Sequence, residues 1–137
     1  MKCVFCDIIE KNSQAEILFE DDEVISILDI NPMNYGHALV FPKVHYQDFL
    51  SLPNEYIQHL FSTAQIISNG IMKALKPDGF NVILNNGRAA GQSVFHFHLH
   101  IIPRYFSDDH RFRLNLKKYK DGEMKEYAQK IRSSIKL

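Results

Sequence analysis

The 137-residue chain predicts an α+β fold: an antiparallel β-sheet meander with one long helix packed on it and a C-terminal helix. Three features lead there. Short apolar runs bounded by turn residues recur at 17–20, 24–28, 37–41, 80–84 and around 95–102, each the length of a strand. Between Ser51 and Leu75 the apolar residues return at helical spacing instead, and they do so again from Met124 to Ile135. No linker, low-complexity segment or internal repeat interrupts the chain, so residues 1–137 are read as one domain.

The chain opens on Cys3-Val4-Phe5-Cys6, and Val4, Phe5, Ile8 and Ile9 suit a short helix. Three readings of the Cys-x-x-Cys pair compete. A redox pair would follow a strand, and none precedes it; free thiols are the plain alternative. Half of a zinc site needs two further ligands, and the seven histidines can supply them. Residues 17–20, Asp21-Asp22-Glu23 and 24–28 read as a hairpin, followed by the loop Asp29-Ile30-Asn31-Pro32-Met33-Asn34-Tyr35-Gly36. Asp29 could accept from paired ligand hydroxyls, but an Asx-turn is the simpler role there. The strand His37–Phe41 closes at Pro42.

Ser51 is the expected cap of the long helix, with Pro53 in its first turn; Ile57, Leu60, Phe61, Ala64, Ile67 and Ile71 form its packing face. Residues 80–84 read as a strand. The loop Asn85-Asn86-Gly87-Arg88-Ala89-Ala90-Gly91 either cradles a phosphate with its amides or is a plain flexible connection. After Arg104 come a polar stretch with His110, a strand-like Phe112-Arg113-Leu114, and a last helix capped by Asp121.

Chemistry concentrates in Gln92-Ser93-Val94-Phe95-His96-Phe97-His98-Leu99-His100. On a strand, side chains alternate between faces, so the three histidines share one face and Phe95, Phe97 and Leu99 the other. Three imidazoles make a poor core, because every ring nitrogen needs a partner. Either they bind metal, or a neutral ring whose second nitrogen is hydrogen-bonded attacks phosphorus. Sixteen basic residues balance sixteen acidic ones, which argues against a nucleic-acid or anionic-membrane surface. No run is apolar enough to cross a bilayer, acidic residues interrupt the N-terminus too early for a signal peptide, and two cysteines make no disulfide framework; a cytoplasmic protein is expected.

The segment from Gly91 to His100 resembles the histidine triad (HIT) family of nucleotide hydrolases and transferases. Phe19-Glu20-Asp21-Asp22, Leu28-Asp29-Ile30-Asn31-Pro32 and Gly36-His37-Ala38-Leu39-Val40-Phe41-Pro42-Lys43 extend the likeness in the family's order. The resemblance implies a homodimer with its two sheets joined, and His98 as the nucleophile that becomes a nucleotidyl-histidine. His100 and His37 would flank it, Ser93 would serve the leaving group, and Gln92, Asn85 and the Val94 amide would meet the phosphate. Asp29 would bind the ribose hydroxyls. Phe5, Ile8, Ile27, Ile30 and Leu39 would form the purine pocket, although Phe5, Ile8 and Ile27 serve equally well as core.

A zinc-containing, Hint-like branch of the family carries two such cysteines. By that resemblance Cys3, Cys6, His45 and His96 would hold structural Zn2+, with no metal in the chemical step. The implied activity is hydrolysis of a purine nucleoside phosphoramidate, giving an AMP- or GMP-type product. Pro103-Arg104 after the triad is instead reminiscent of diadenosine polyphosphate hydrolases, and a nucleotide-binding regulatory or scaffold role is the third reading.

Overall fold

The computed structural model describes residues 3–137. The elements in order are α1 (Val4–Ile9), β1 (Ile17–Glu20), β2 (Val24–Leu28), β3 (Ala38–Pro42), α2 (Asn54–Leu75), β4 (Gly79–Ile83), β5 (Leu99–Arg104) and α3 (Glu123–Ser134). The five strands form one antiparallel sheet in the order β1-β2-β3-β5-β4. The chain meanders through β1–β3; α2 then carries it across one face to the far edge, and β5 fills the gap between β3 and β4.

Strand alternation sorts the core into two layers. Val24, Ala38, Val40, Leu99 and Ile101 face α2 and pack with its Leu60, Ala64, Ile67 and Ile71. Ile25, Ile27, Leu39 and Phe41 face the other way, where α1 covers them with Phe5 and Ile8. Phe5 stacks on Phe41 with ring centroids 4.4 Å apart. The uncovered end of that second face holds His100, paired across the ladders with Leu39 and Ile83.

Three local readings change. Ser51 does not cap α2: it closes a capping box with Asp48 around a single 3-10 turn, and the helix starts after Pro53. Phe112-Arg113-Leu114 forms no strand, because both sheet edges end at β1 and β4 and this segment meets neither. Asp121 does not cap α3; Gly122 stands there with a left-handed φ of 83°, and Glu123 turns back to accept from the Lys120 amide. The apolar face of α3, with Met124, Tyr127 and Ile131, is exposed.

Candidate active site and metal centre

The histidine row is only partly strand. His100 lies inside β5, His98 immediately before it, and His96 in a bend. Pro42 explains the break. It has no N–H to extend the ladder beyond Val40–Leu99, so Phe97 donates to the Tyr46 carbonyl (2.6 Å) instead. The alternation still holds: Phe97, Leu99 and Ile101 join the core under α2, and the imidazoles emerge on the opposite face.

Carbonyl oxygens only accept hydrogen bonds, and that fixes the protons on two rings. His96 is fully buried and its Nε2 donates to the Pro42 carbonyl at 2.7 Å, leaving Nδ1 as a lone pair. That lone pair faces Cys3 Sγ (3.4 Å), Cys6 Sγ (3.6 Å) and His45 Nδ1 (3.1 Å), and Cys6 Sγ is 3.4 Å from His45 Nδ1. A tetrahedral ion with bonds of about 2.0–2.3 Å spaces its ligands by roughly 3.3–3.8 Å. Two thiols and two imidazoles with converging lone pairs therefore fit a closed four-ligand shell, and α1 delivers half of it, with Cys3 at its N-terminal cap.

His98 Nδ1 donates to the carbonyl of His96 at 2.7 Å, which leaves Nε2 as the free lone pair. Burial lowers its pKa against the pull of that hydrogen bond, so the ring is neutral and nucleophilic at neutral pH. The edge of Phe5 closes one side, with centroids 5.0 Å apart, and His100 the other at 4.9 Å.

The third group is Asp29, His37 and His100. Here a main-chain donor sets the protons. The Met33 amide donates to His37 Nδ1 (3.1 Å), so the proton of the neutral His37 ring is on Nε2, facing His100 Nδ1 at 3.0 Å. His100 in turn carries its proton on Nε2, as a donor for an incoming oxygen. Burial lowers the pKa of both rings, that of His100 to about 4. A metal on His37 Nε2 would require the proton on Nδ1, against the Met33 N–H, so this group suits hydrogen bonding better than metal. Asp29 divides its carboxylate: Oδ1 accepts from the Asn31 amide in an Asx-turn, and Oδ2 lies 3.6 Å from His37 Nε2. The Asx-turn therefore leaves one carboxylate oxygen turned toward His37.

The remaining residues spread around this centre. Ser93 is exposed. Gln92 is buried and braces the loop, donating to the Gln47 and Val94 carbonyls and accepting from the Gly87 amide. Asn85 is half-buried beside Gly91, whose left-handed φ of 96° turns the loop. Val94 packs on the α1-side core, where Phe5, Ile8, Ile27 and Leu39 are buried. Ile30 is 87 % exposed, and with Ile8, Ala15 and Ile17 it lines a groove of about 630 Å³. Sequence reasoning missed the groups that set the tautomers, the Pro42 carbonyl and the Met33 amide, because main-chain partners leave no residue signature. His59 on α2 pairs with Asp21 at 2.6 Å, away from the histidine row.

The HIT domain model matches residues 10–107. The chain is 48 % identical over 102 residues to adenylylsulfatase HINT3 of Arabidopsis thaliana, covering 74 % of this chain but only 52 % of that protein. It therefore spans about half the length of that relative. A crystal structure of a HIT family member from Bacillus subtilis matches with a TM-score of 0.91 at 33 % identity, over 100 % of this chain and 99 % of that one. A zinc-bound histidine triad family protein from Mycobacterium smegmatis matches with a TM-score of 0.77 at 35 % identity, over 98 % and 99 %. The chain belongs to the HIT family.

Proposed function

We propose that this HIT-domain protein hydrolyses purine nucleoside phosphoramidates or related nucleotidyl compounds through a nucleotidyl-His98 intermediate. The observation that carries the reading is the His98 tautomer: Nδ1–H is tied to the His96 carbonyl and Nε2 is bare, in a neutral, buried ring. Nε2 attacks the α-phosphorus, and the bond from phosphorus to the leaving amine breaks. The ring becomes cationic, and the His96 carbonyl on Nδ1–H stabilises that charge. His100 Nε2–H faces a non-bridging oxygen, and Ser93 at the mouth passes a proton to the departing amine. Water then cleaves the phosphorus–Nε2 bond, its hydroxyl going to phosphorus and its proton returning to Ser93, and the nucleoside monophosphate leaves a neutral His98.

Asp29 Oδ2 is the acceptor for the ribose hydroxyls, and the groove of Ile8 and Ile30 is the site for the base. Asn85, Gln92 and the Val94 amide border the phosphate. Zn2+ is the ion we assign to Cys3, Cys6, His45 and His96, supported by their spacing and by the zinc-bound relative. When bound it supplies a structural tie between α1 and the triad segment, and no chemical step. Phe61, Met72, Phe80 and Val82 line an apolar groove of about 720 Å³ along α2 and the edge strand β4, the surface we assign to a homodimer. The thiol ligands suit the reducing cytoplasm, where we place the protein. A sulfate leaving group, as in adenylyl sulfate, is the second reading, favoured by the adenylylsulfatase relative.

The deciding experiment gives the purified protein adenosine 5′-phosphoramidate, adenylyl sulfate and a diadenosine polyphosphate in parallel. AMP should appear fastest from the first, and His98→Ala should lower its release by about 10⁴-fold or more while AMP still binds. Equal turnover by that variant would remove His98 as nucleophile, and faster release from adenylyl sulfate would move the substrate to the second reading.

A further inference from the structure

The loop that carries Asp29, Met33 and His37 is anchored from outside the site. Asp108, whose side chain is 4 % exposed, gathers five donors. Arg104 reaches its two oxygens from Nε (2.8 Å) and Nη2 (3.2 Å), and the amides of Tyr105 (3.0 Å) and His110 (3.1 Å) add two more. Asn34 Nδ2 is the fifth at 3.0 Å, and it also donates to the Pro103 carbonyl at 2.8 Å. Arg104 Nη2 returns to the His110 carbonyl at 3.0 Å, so the backbone of His110 is gripped at both ends. Its ring is then left to donate from Nε2 to the Met33 carbonyl at 2.7 Å. Met33 is the residue whose amide sets the proton on His37.

We propose that His110, seated by the Arg104–Asp108 pair, is a positioning residue: it holds Met33 so that His37 keeps Nε2–H toward His100. His100 then presents Nε2–H to the phosphate. The inference rests on the role given to His100 above. An exposed ion pair would carry little weight, but a nearly buried carboxylate bound in two places by arginine is a rigid anchor. The plain alternative is that these bonds only close a loop. The His110 ring separates the two, because Asp108 and Arg104 bond its backbone and close the loop without the ring. The Met33 bond is what links that closure to the catalytic pair.

The test compares His110→Leu, which has no donor, with His110→Gln, whose amide can still reach a carbonyl. Both are read by kcat and KM on adenosine 5′-phosphoramidate, by melting temperature, and by ¹⁵N–¹H spectra of the His37 and His100 rings. The leucine variant should lower kcat about ten- to a hundredfold, with KM within twofold, and move His100 from the Nε2–H form to a mixture. Glutamine should restore both. Unchanged ring spectra in the leucine variant, or a loss that glutamine does not recover, would overturn the positioning role and leave His110 a loop residue. If the wild-type protein turned over no nucleotide, the proposed function would fall, while the ring spectra would still decide what His110 does.

Discussion

Two histidine groups stand at opposite ends of the segment from His96 to His100, and they differ in where their protons are. At the His96 end a carbonyl takes the Nε2 proton, and the bare Nδ1 turns toward two thiols and a second imidazole. At the His100 end an amide occupies His37 Nδ1, and the proton is left between the two rings. Both groups gather nitrogen with oxygen or sulfur at close range. The main-chain partner behind each ring decides which one can take a metal and which one passes hydrogen bonds. His98 sits between them, borrowing the His96 carbonyl from one group and a ring neighbour from the other.

The sharpest way to break this comparison is to remove the His37–His100 hydrogen bond and leave the cysteine–histidine cluster alone. His37→Gln keeps an amide donor but loses the paired ring, and turnover should fall about a hundredfold with zinc content unchanged by metal analysis. A proportional loss of zinc would mean that the two groups are not separate. The converse change is Cys6→Ser, which should strip most of the metal and lower the melting temperature by about 10 °C. Turnover should drop less than in His37→Gln, about tenfold at most, since Phe5 beside His98 and the buried ring of His96 would loosen without any chemical group being lost. Unchanged metal content in Cys6→Ser would dissolve the four-ligand shell.

The sheet and its helices were legible because each carries a period: apolar runs of strand length, and the spacing of Leu60, Ala64, Ile67 and Ile71 along α2. The site residues were legible as types, through the alternating histidines and the paired cysteines. What could not be read was whatever depends on the far side of a hydrogen bond. Pro42 was visible as a strand terminator, but not as the residue that bends His96 out of the ladder and takes its proton. Asn34, Asp108 and His110 are ordinary polar residues in loops, and only folding brings residues 34 and 108 within 3.0 Å. Exposure was equally illegible: Ile30 stands 87 % exposed on the groove that it lines with Ile8, which residue type alone does not say.

Acid titration gives the smallest effect, and it acts on both groups with one sign and one cause, burial. Burial holds His96 and His100 at about 4, against an ordinary value of 6.5, and lowers His98 and His37 as well. The unfolded chain therefore binds more protons than the folded one between about pH 6.5 and 4. Stability must rise with pH across that window and fall as the pH is lowered through it. The melting temperature should decline steadily from pH 7 to 4.5, while the acid limb of kcat/KM stays below pH 6.5 because His98 remains neutral in the fold. In the wild type, proton competition for the thiol and imidazole ligands adds to the decline. The Cys6→Ser variant lacks that contribution, so its shallower slope should isolate the buried rings themselves, His96 included with His37, His98 and His100. A melting temperature that is flat from pH 7 to 5 in both proteins would mean that the rings are hydrated and charge freely, and the neutral His98 nucleophile would lose its physical basis.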